Sequence, residues 1–176
     1  MGTRSDIIVE GRDGKFRRIY CHWDGYLEHN GRILQEHYTS QEKCDALAAL
    51  GDLSSLNENI GVKHSFERPI QSDKGYTAFM RRHGKSCTAY GRDRGEHETD
   101  AKVGDTLQAV WPEEDTWTEF VYAWRRDLDA GRWFVCSADE GTQALIPLSE
   151  ALAGRQDVRA NVKVPFLGVI GRHKSL

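Results

Sequence analysis

A chain of 176 residues with 39% hydrophobic and 29% charged side chains can bury one core without disulfide staples, which excludes global disorder. No apolar run approaches the ~20 residues that span a bilayer. The start Met-Gly-Thr-Arg-Ser-Asp has no secretory signal and misses the myristoylation pattern at Asp6, so a cytoplasmic protein is expected. The net charge of −3 is uneven. From Gly154 onward five cations face one acid, and the +4 there leaves −7 on the preceding 153 residues. An acidic body argues against a broad nucleic-acid face, which needs clustered Lys and Arg. Direct nucleic-acid binding is therefore expected at most through the basic tail. The expected organisation is one domain over residues 1–153 and a basic C-terminal tail over 154–176.

The first element is a hairpin. Asp6–Glu10 and Lys15–Cys21 are short and β-prone, and Gly11-Arg12-Asp13-Gly14 between them is a turn cluster. After Trp23-Asp24-Gly25-Tyr26, a turn between aromatics, a helix is predicted near Asn30–Tyr38. Ser40 is suited to cap a second helix carrying Cys44, Leu47 and Ala48 on one face, which Gly51 ends in a left-handed conformation. Asn57–Lys85 reads as irregular, with one short element near Tyr76–Arg81. Strand character returns at Ser86–Tyr90, and a short helix over Asp105–Trp111 stops at Pro112. Thr118–Trp124 and Arg132–Ser137 form a second hairpin through Asp127–Gly131. A strand over Thr142–Ile146, a helix over Leu148–Ala153 opened by Pro147, and an apolar segment Val164–Ile170 complete the chain. The order lacks βαβ alternation. It predicts an α+β fold with a mainly antiparallel sheet built from hairpins and a few short helices.

The sequence has no G-x-S-x-G elbow, no Walker loop, no G-x-G-x-x-G and no H-E-x-x-H. No catalytic residue and no cofactor is expected. Cys21, Cys44, Cys87 and Cys136 lie far apart and are simplest as buried thiols. His83 and Cys87 are four residues apart, but Gly-Lys-Ser between them is a poor helix interior, and no metal is expected. The ligand-binding candidates are His22, Trp23, Asp24 and Tyr26, with Arg92 and Arg94. Trp23 and Tyr26 can stack on a ring while Asp24 accepts hydrogen bonds, and the two arginines can grip a phosphate or carboxylate. The competing reading is structural: a corner around Asp24-Gly25, and ion pairs of the arginines with Asp93, Glu96 and Glu98. The partner-binding candidate is Trp111, Glu113, Glu114, Asp115 and Trp117, an acidic loop between tryptophans, the residue type favoured at interface hot spots. Its plain alternative is a solvated charge run between two core tryptophans.

Four blocks carry a resemblance: the Thr-Arg-Ser start; Tyr20-Cys21-His22-Trp23-Asp24-Gly25-Tyr26 with the helix after it; Leu50-Gly51-Asp52-Leu53-Ser54-Ser55-Leu56; and Tyr90-Gly91-Arg92-Asp93-Arg94-Gly95-Glu96. Over about the first hundred residues the chain resembles a family of bacteriophage and prophage proteins without an established activity. From Asp100 on, the likeness is one of general character. The resemblance implies a small accessory protein made in the cytoplasm of an infected or lysogenic bacterium. With catalytic signatures lacking, the expectation is a protein that binds a host protein or complex, such as an inhibitor of an antiviral defence of the anti-CRISPR kind. The alternative is a small hydrolase or nucleotide-binding domain using the Cys21–Tyr26 and Gly91–Gly95 loops. These part on whether His22 and Arg92 converge around a pocket.

Overall fold

The structure, a computed structural model, describes residues 2–113, 116–127, 130–138 and 145–154. The basic tail beyond Gly154, the segment Val164–Ile170 and most of the strand expected over Thr142–Ile146 lie outside them.

The predicted first hairpin forms, with β1 (Ser5–Glu10) antiparallel to β2 (Phe16–Cys21). Its turn is closed by Gly11 N–H donating to the Lys15 carbonyl (2.8 Å), and by Asp13, which accepts from Lys15 N–H and binds Arg17 with both oxygens. A π-helical turn (Leu27–Gly31) then runs into α1 (Arg32–His37). Ser40 caps α2 (Gln41–Ala48) by accepting from Lys43 N–H (3.3 Å), and Gly51 follows with φ +70°. β3 (Leu53–Ser55) precedes the long polar stretch, which holds α3 (Tyr76–His83). β4 (Thr88–Ala89), a π-helical turn (Tyr90–Arg94), β5 (Lys102–Gly104) and a 3₁₀ turn (Gln108–Val110) come next. The second predicted hairpin joins β6 (Phe120–Asp127) to β7 (Ala130–Ser137), followed by β8 (Ile146–Pro147) and α4 (Leu148–Leu152).

The fold is α+β, and the sheet is mixed: among the described residues five strand pairs are antiparallel and two are parallel. Its order is β4-β3-β2-β1-β6-β7-β8, with β5 also on β2. β1 lies parallel to β6, pairing Ser5 with Phe120 through Val9 with Trp124, and β2 is parallel to β3 at Cys21–Leu53. The two hairpins thus meet side by side through their first strands. A parallel pair needs a crossover, and everything between β2 and β6 supplies it. The central position of β1 explains its composition, since Ser5 through Val9 are all buried, with apolar cover on both faces.

One sheet face carries Ile7, Val9, Ile19, Tyr122, Trp124, Trp133 and Val135 against Leu34, Tyr38, Leu47 and Leu148 of the helical layer. The other face splits in two. At one end Ile8, Phe16, Val121 and Ala123 pack under Leu107 and Val110. At the other end the same face presents Asp6, Arg18 and Tyr20, which alternate along their strands with core residues. Between β5 and β3 the outer edge of β2 loses its ladder, and a side chain fills the gap: Tyr20 N–H donates to Asp52 Oδ1 (2.8 Å).

Candidate binding site at one end of the sheet

Three segments meet where β1 and β6 begin and β2 ends. The N-terminal segment crosses the end of the sheet. Thr3 accepts from Gly25 N–H (2.8 Å), and the Arg4 carbonyl accepts from Glu119 N–H (3.0 Å). Gly25 permits that approach, because a Cβ there would lie 2.7 Å from the Arg4 carbonyl carbon. Gly25→Ala is accordingly expected to displace the N-terminal segment, lowering the unfolding midpoint and increasing Arg4 accessibility in hydrogen exchange and limited proteolysis.

Asp24 adopts a left-handed φ of +57°, which Asp tolerates better than most residues. The turn is held from within by fully buried Asn30. Its Nδ2 donates to Ser5 Oγ (3.2 Å), Cys21 Sγ (3.4 Å) and the Trp23 carbonyl (3.3 Å). Asn30→Ala strands these groups in the interior and is expected to cost about 1–3 kcal/mol in denaturant unfolding. Tyr122 reinforces the corner by donating its hydroxyl to the Gly25 carbonyl (2.8 Å).

This anchored corner displays large side chains outward. Trp117 is 79% exposed, Trp23 47% and Tyr26 38%. The Arg4 guanidinium lies over the Trp117 ring at 6.0 Å, and Trp23 packs edge-on against His22. His22 Nδ1 sits 3.0 Å from the Tyr20 hydroxyl, and its pKa is lowered by burial and then by Arg4. Cys21 points the other way into the core, where burial pushes its thiol up to about 12. Cys44, Cys87 and Cys136 are likewise buried.

Below Trp117 a cleft of about 370 Å³ opens onto the polar half of the second sheet face. Its floor holds Asp6 and Arg18, whose side chains are only 5% and 9% exposed, with Arg18 Nε 3.8 Å from Asp6 Oδ1. Asp6 Oδ2 accepts from the Thr118 hydroxyl (2.6 Å). Burial raises the Asp6 carboxyl, partly countered by Thr118 and Arg18, and burial likewise raises Asp52, partly countered by Tyr20 N–H. Arg18 Nη1 is buried with no hydrogen-bond partner among the described residues. Asp52, Glu98, Asp100, Lys102 and Arg4 form the walls.

The sequence candidates are therefore distributed. His22, Trp23, Asp24 and Tyr26 follow one another around the turn after β2, where Trp23 touches His22, and Trp117 lies near the adjoining N-terminal segment through Arg4. Trp111 is half-buried beside the smaller core and Glu113 is exposed, while Glu114 and Asp115 lie outside the described residues. Arg92 and Arg94 are engaged elsewhere. Arg92 binds Asp93 through Nε and Nη2 (2.9 and 2.8 Å) and the carbonyls of Ile60, Gly61 and Cys87. Arg94 pairs with Glu96 (3.1 Å) and stacks on Phe66. None of these contacts reaches the Cys21–Tyr26 turn. His83 packs against His64 and Phe79, while Cys87 hydrogen-bonds Tyr38 and Asn57. Among the described residues no group of three or more His, Cys, Asp or Glu is placed to hold a metal ion.

Sequence reasoning missed Arg4, Asp6, Arg18, Asp52 and Lys102. The available signal was an acid at the head of an apolar strand and two arginines inside β2, one of which must face inward by the two-residue period.

No protein-family model matches the chain, and no significant match was found among curated proteins or solved structures.

Proposed function

We propose that this protein acts by binding another protein, with Trp23, Tyr26, Trp117 and Arg4 as the contact surface. The observation that carries this reading is the joint exposure of two tryptophans and a tyrosine beside an arginine on a rigidly anchored corner. Exposing such side chains to water is unfavourable, and Trp, Tyr and Arg are the types that dominate interface energetics. The sheet end supplies a preorganised base, which lowers the ordering cost of association. In keeping with the phage resemblance, the partner is a protein of the bacterial host, and an inhibited defence complex is the setting that fits a small accessory protein.

The test compares the wild-type chain with a Trp23→Ala/Trp117→Ala variant in affinity capture from host lysate. A stoichiometric partner retained by the first must then be purified and titrated against both. Truncating a hot spot costs about 2 kcal/mol or more, so the variant is expected to bind at least ~30-fold more weakly with unchanged circular dichroism. Equal affinities would remove this surface from consideration.

A further inference from the structure

The cleft beneath Trp117 has features that a flat protein interface does not need. Arg18 is nine-tenths buried, yet its Nη1 meets no acceptor among the described residues. A buried donor left unpaired is costly, and its nearest carboxylate holds it through one 3.8 Å contact at Nε. The guanidinium is thus loosely enough held to turn Nη1 toward an acceptor entering the cleft. Asp52 offers the complementary chemistry. One of its oxygens is used by Tyr20 N–H, and Oδ2 is left to accept.

The walls carry both signs of charge, with Lys102 and Arg4 against Glu98 and Asp100. That mixture disfavours a bare anion or a bare cation. It suits a ligand with an acceptor edge, a donor edge and a separate anionic group. The exposed Trp117 ring among the lining residues supplies a flat stacking platform, and every base has a π-face that can stack on it. The volume of about 370 Å³ falls within the range of small-molecule sites.

From this combination we infer that the cleft binds a guanine nucleotide. The base stacks on Trp117, and its O6/N7 edge accepts from Arg18, the pairing arginine makes best. Its N1–H and N2–H groups donate to Asp52, and the phosphate lies toward Lys102 and Arg4. No bond is made or broken. The assignment does not depend on the protein partner proposed above, because it is read on the isolated chain.

The experiment is calorimetric titration of the purified full-length chain with GMP, AMP, CMP and inorganic phosphate, repeated on Trp117→Ala, Lys102→Ala and Asp52→Asn. The expected result is saturable GMP binding at least tenfold tighter than AMP or CMP. Trp117→Ala should weaken it at least tenfold and Lys102→Ala at least threefold, with circular dichroism and thermal midpoint unchanged. Asp52→Asn retains the oxygen that accepts from Tyr20 but presents an amide in place of the second, so it should abolish the preference for GMP. Absence of binding at millimolar GMP overturns the proposal. So does phosphate binding as tightly as GMP, or GMP affinity indifferent to Trp117→Ala and Lys102→Ala. Loss of host-protein capture in the Trp23→Ala/Trp117→Ala variant without nucleotide binding by the wild type would sink this inference and leave the protein-binding reading standing.

Discussion

Asp93→Ala is expected to remove about 3–5 kcal/mol of stability, the scale observed when one partner of a buried ion pair is deleted. The carboxylate is fully buried and is the acceptor for four groups. Ala89 N–H (2.8 Å), His64 N–H (3.1 Å) and the fork of Arg92 all donate to it. Arg92 in turn ties down the carbonyls of Ile60 and Gly61, so one carboxylate joins the β4 end to a segment with little regular structure of its own. Removing it leaves the Arg92 charge without its counter-ion and two buried backbone donors unpaired, and urea unfolding should register the loss directly. An unfolding free energy within 1 kcal/mol of wild type would contradict this account.

The pH dependence follows from the same site. Burial by itself raises the Asp93 carboxyl, but the bonds from Arg92, Ala89 and His64 outweigh it and leave the group below its ordinary 3.8. A carboxyl lowered on folding holds fewer protons in the native state than in the unfolded chain. Its stabilisation is therefore complete above 3.8 and is lost as pH falls through the lower folded value. Between ~pH 5 and ~pH 2 wild type should lose stability more steeply than Asp93→Ala, and the two curves should converge at the acid end.

Tyr122→Ala is expected to cost about 3–5 kcal/mol, the usual range for deleting a large buried aromatic. The ring is fully buried on β6, stacked on Phe120 and in close contact with Gly31. Its hydroxyl is the bond that holds the Gly25 carbonyl. Tyr122→Phe separates the two roles. It keeps the packing and leaves one buried carbonyl unpaired, so a loss of about 1–3 kcal/mol is expected. Both variants act on the corner that displays Trp23. The diagnostic outcome is therefore weakened partner binding in Tyr122→Phe at a temperature where it is still fully folded. Unaltered affinity there would mean that the Tyr122 bond supports stability alone.

Much of the fold was legible because it is local. The Gly11–Gly14 turn, the Ser40 cap with Gly51 beyond it, α3 within a polar stretch and the β6–β7 hairpin each rest on residues within a few positions of one another. Pairing between distant strands is another matter. Val9 lies beside Trp124 in a parallel ladder, and nothing local in either strand names its partner. The one clue was the unbroken run Ile7-Ile8-Val9, which marks a strand covered on both faces rather than half-exposed.

The candidate site divides in the same way. Composition marked Trp23, Tyr26 and Trp117 as unusual, since two aromatics around an Asp-Gly turn and a tryptophan beyond an acidic run stand out in any polar sequence. Their exposure, and the fact that Trp23 and Trp117 flank one N-terminal segment, came only with the sheet. Arg92 shows the reverse. In sequence it is as plausible an anion ligand as any arginine beside glycines, and the fold commits it to Asp93. The amino-acid order by itself determined turns, caps, the two hairpins and an acidic body, because those follow from neighbouring residues and summed charge. The tertiary structure decided which strands pair in parallel and that Asp6, Arg18 and Asp52 converge. Burial and long-range register belong to the whole chain, and no short segment contains them.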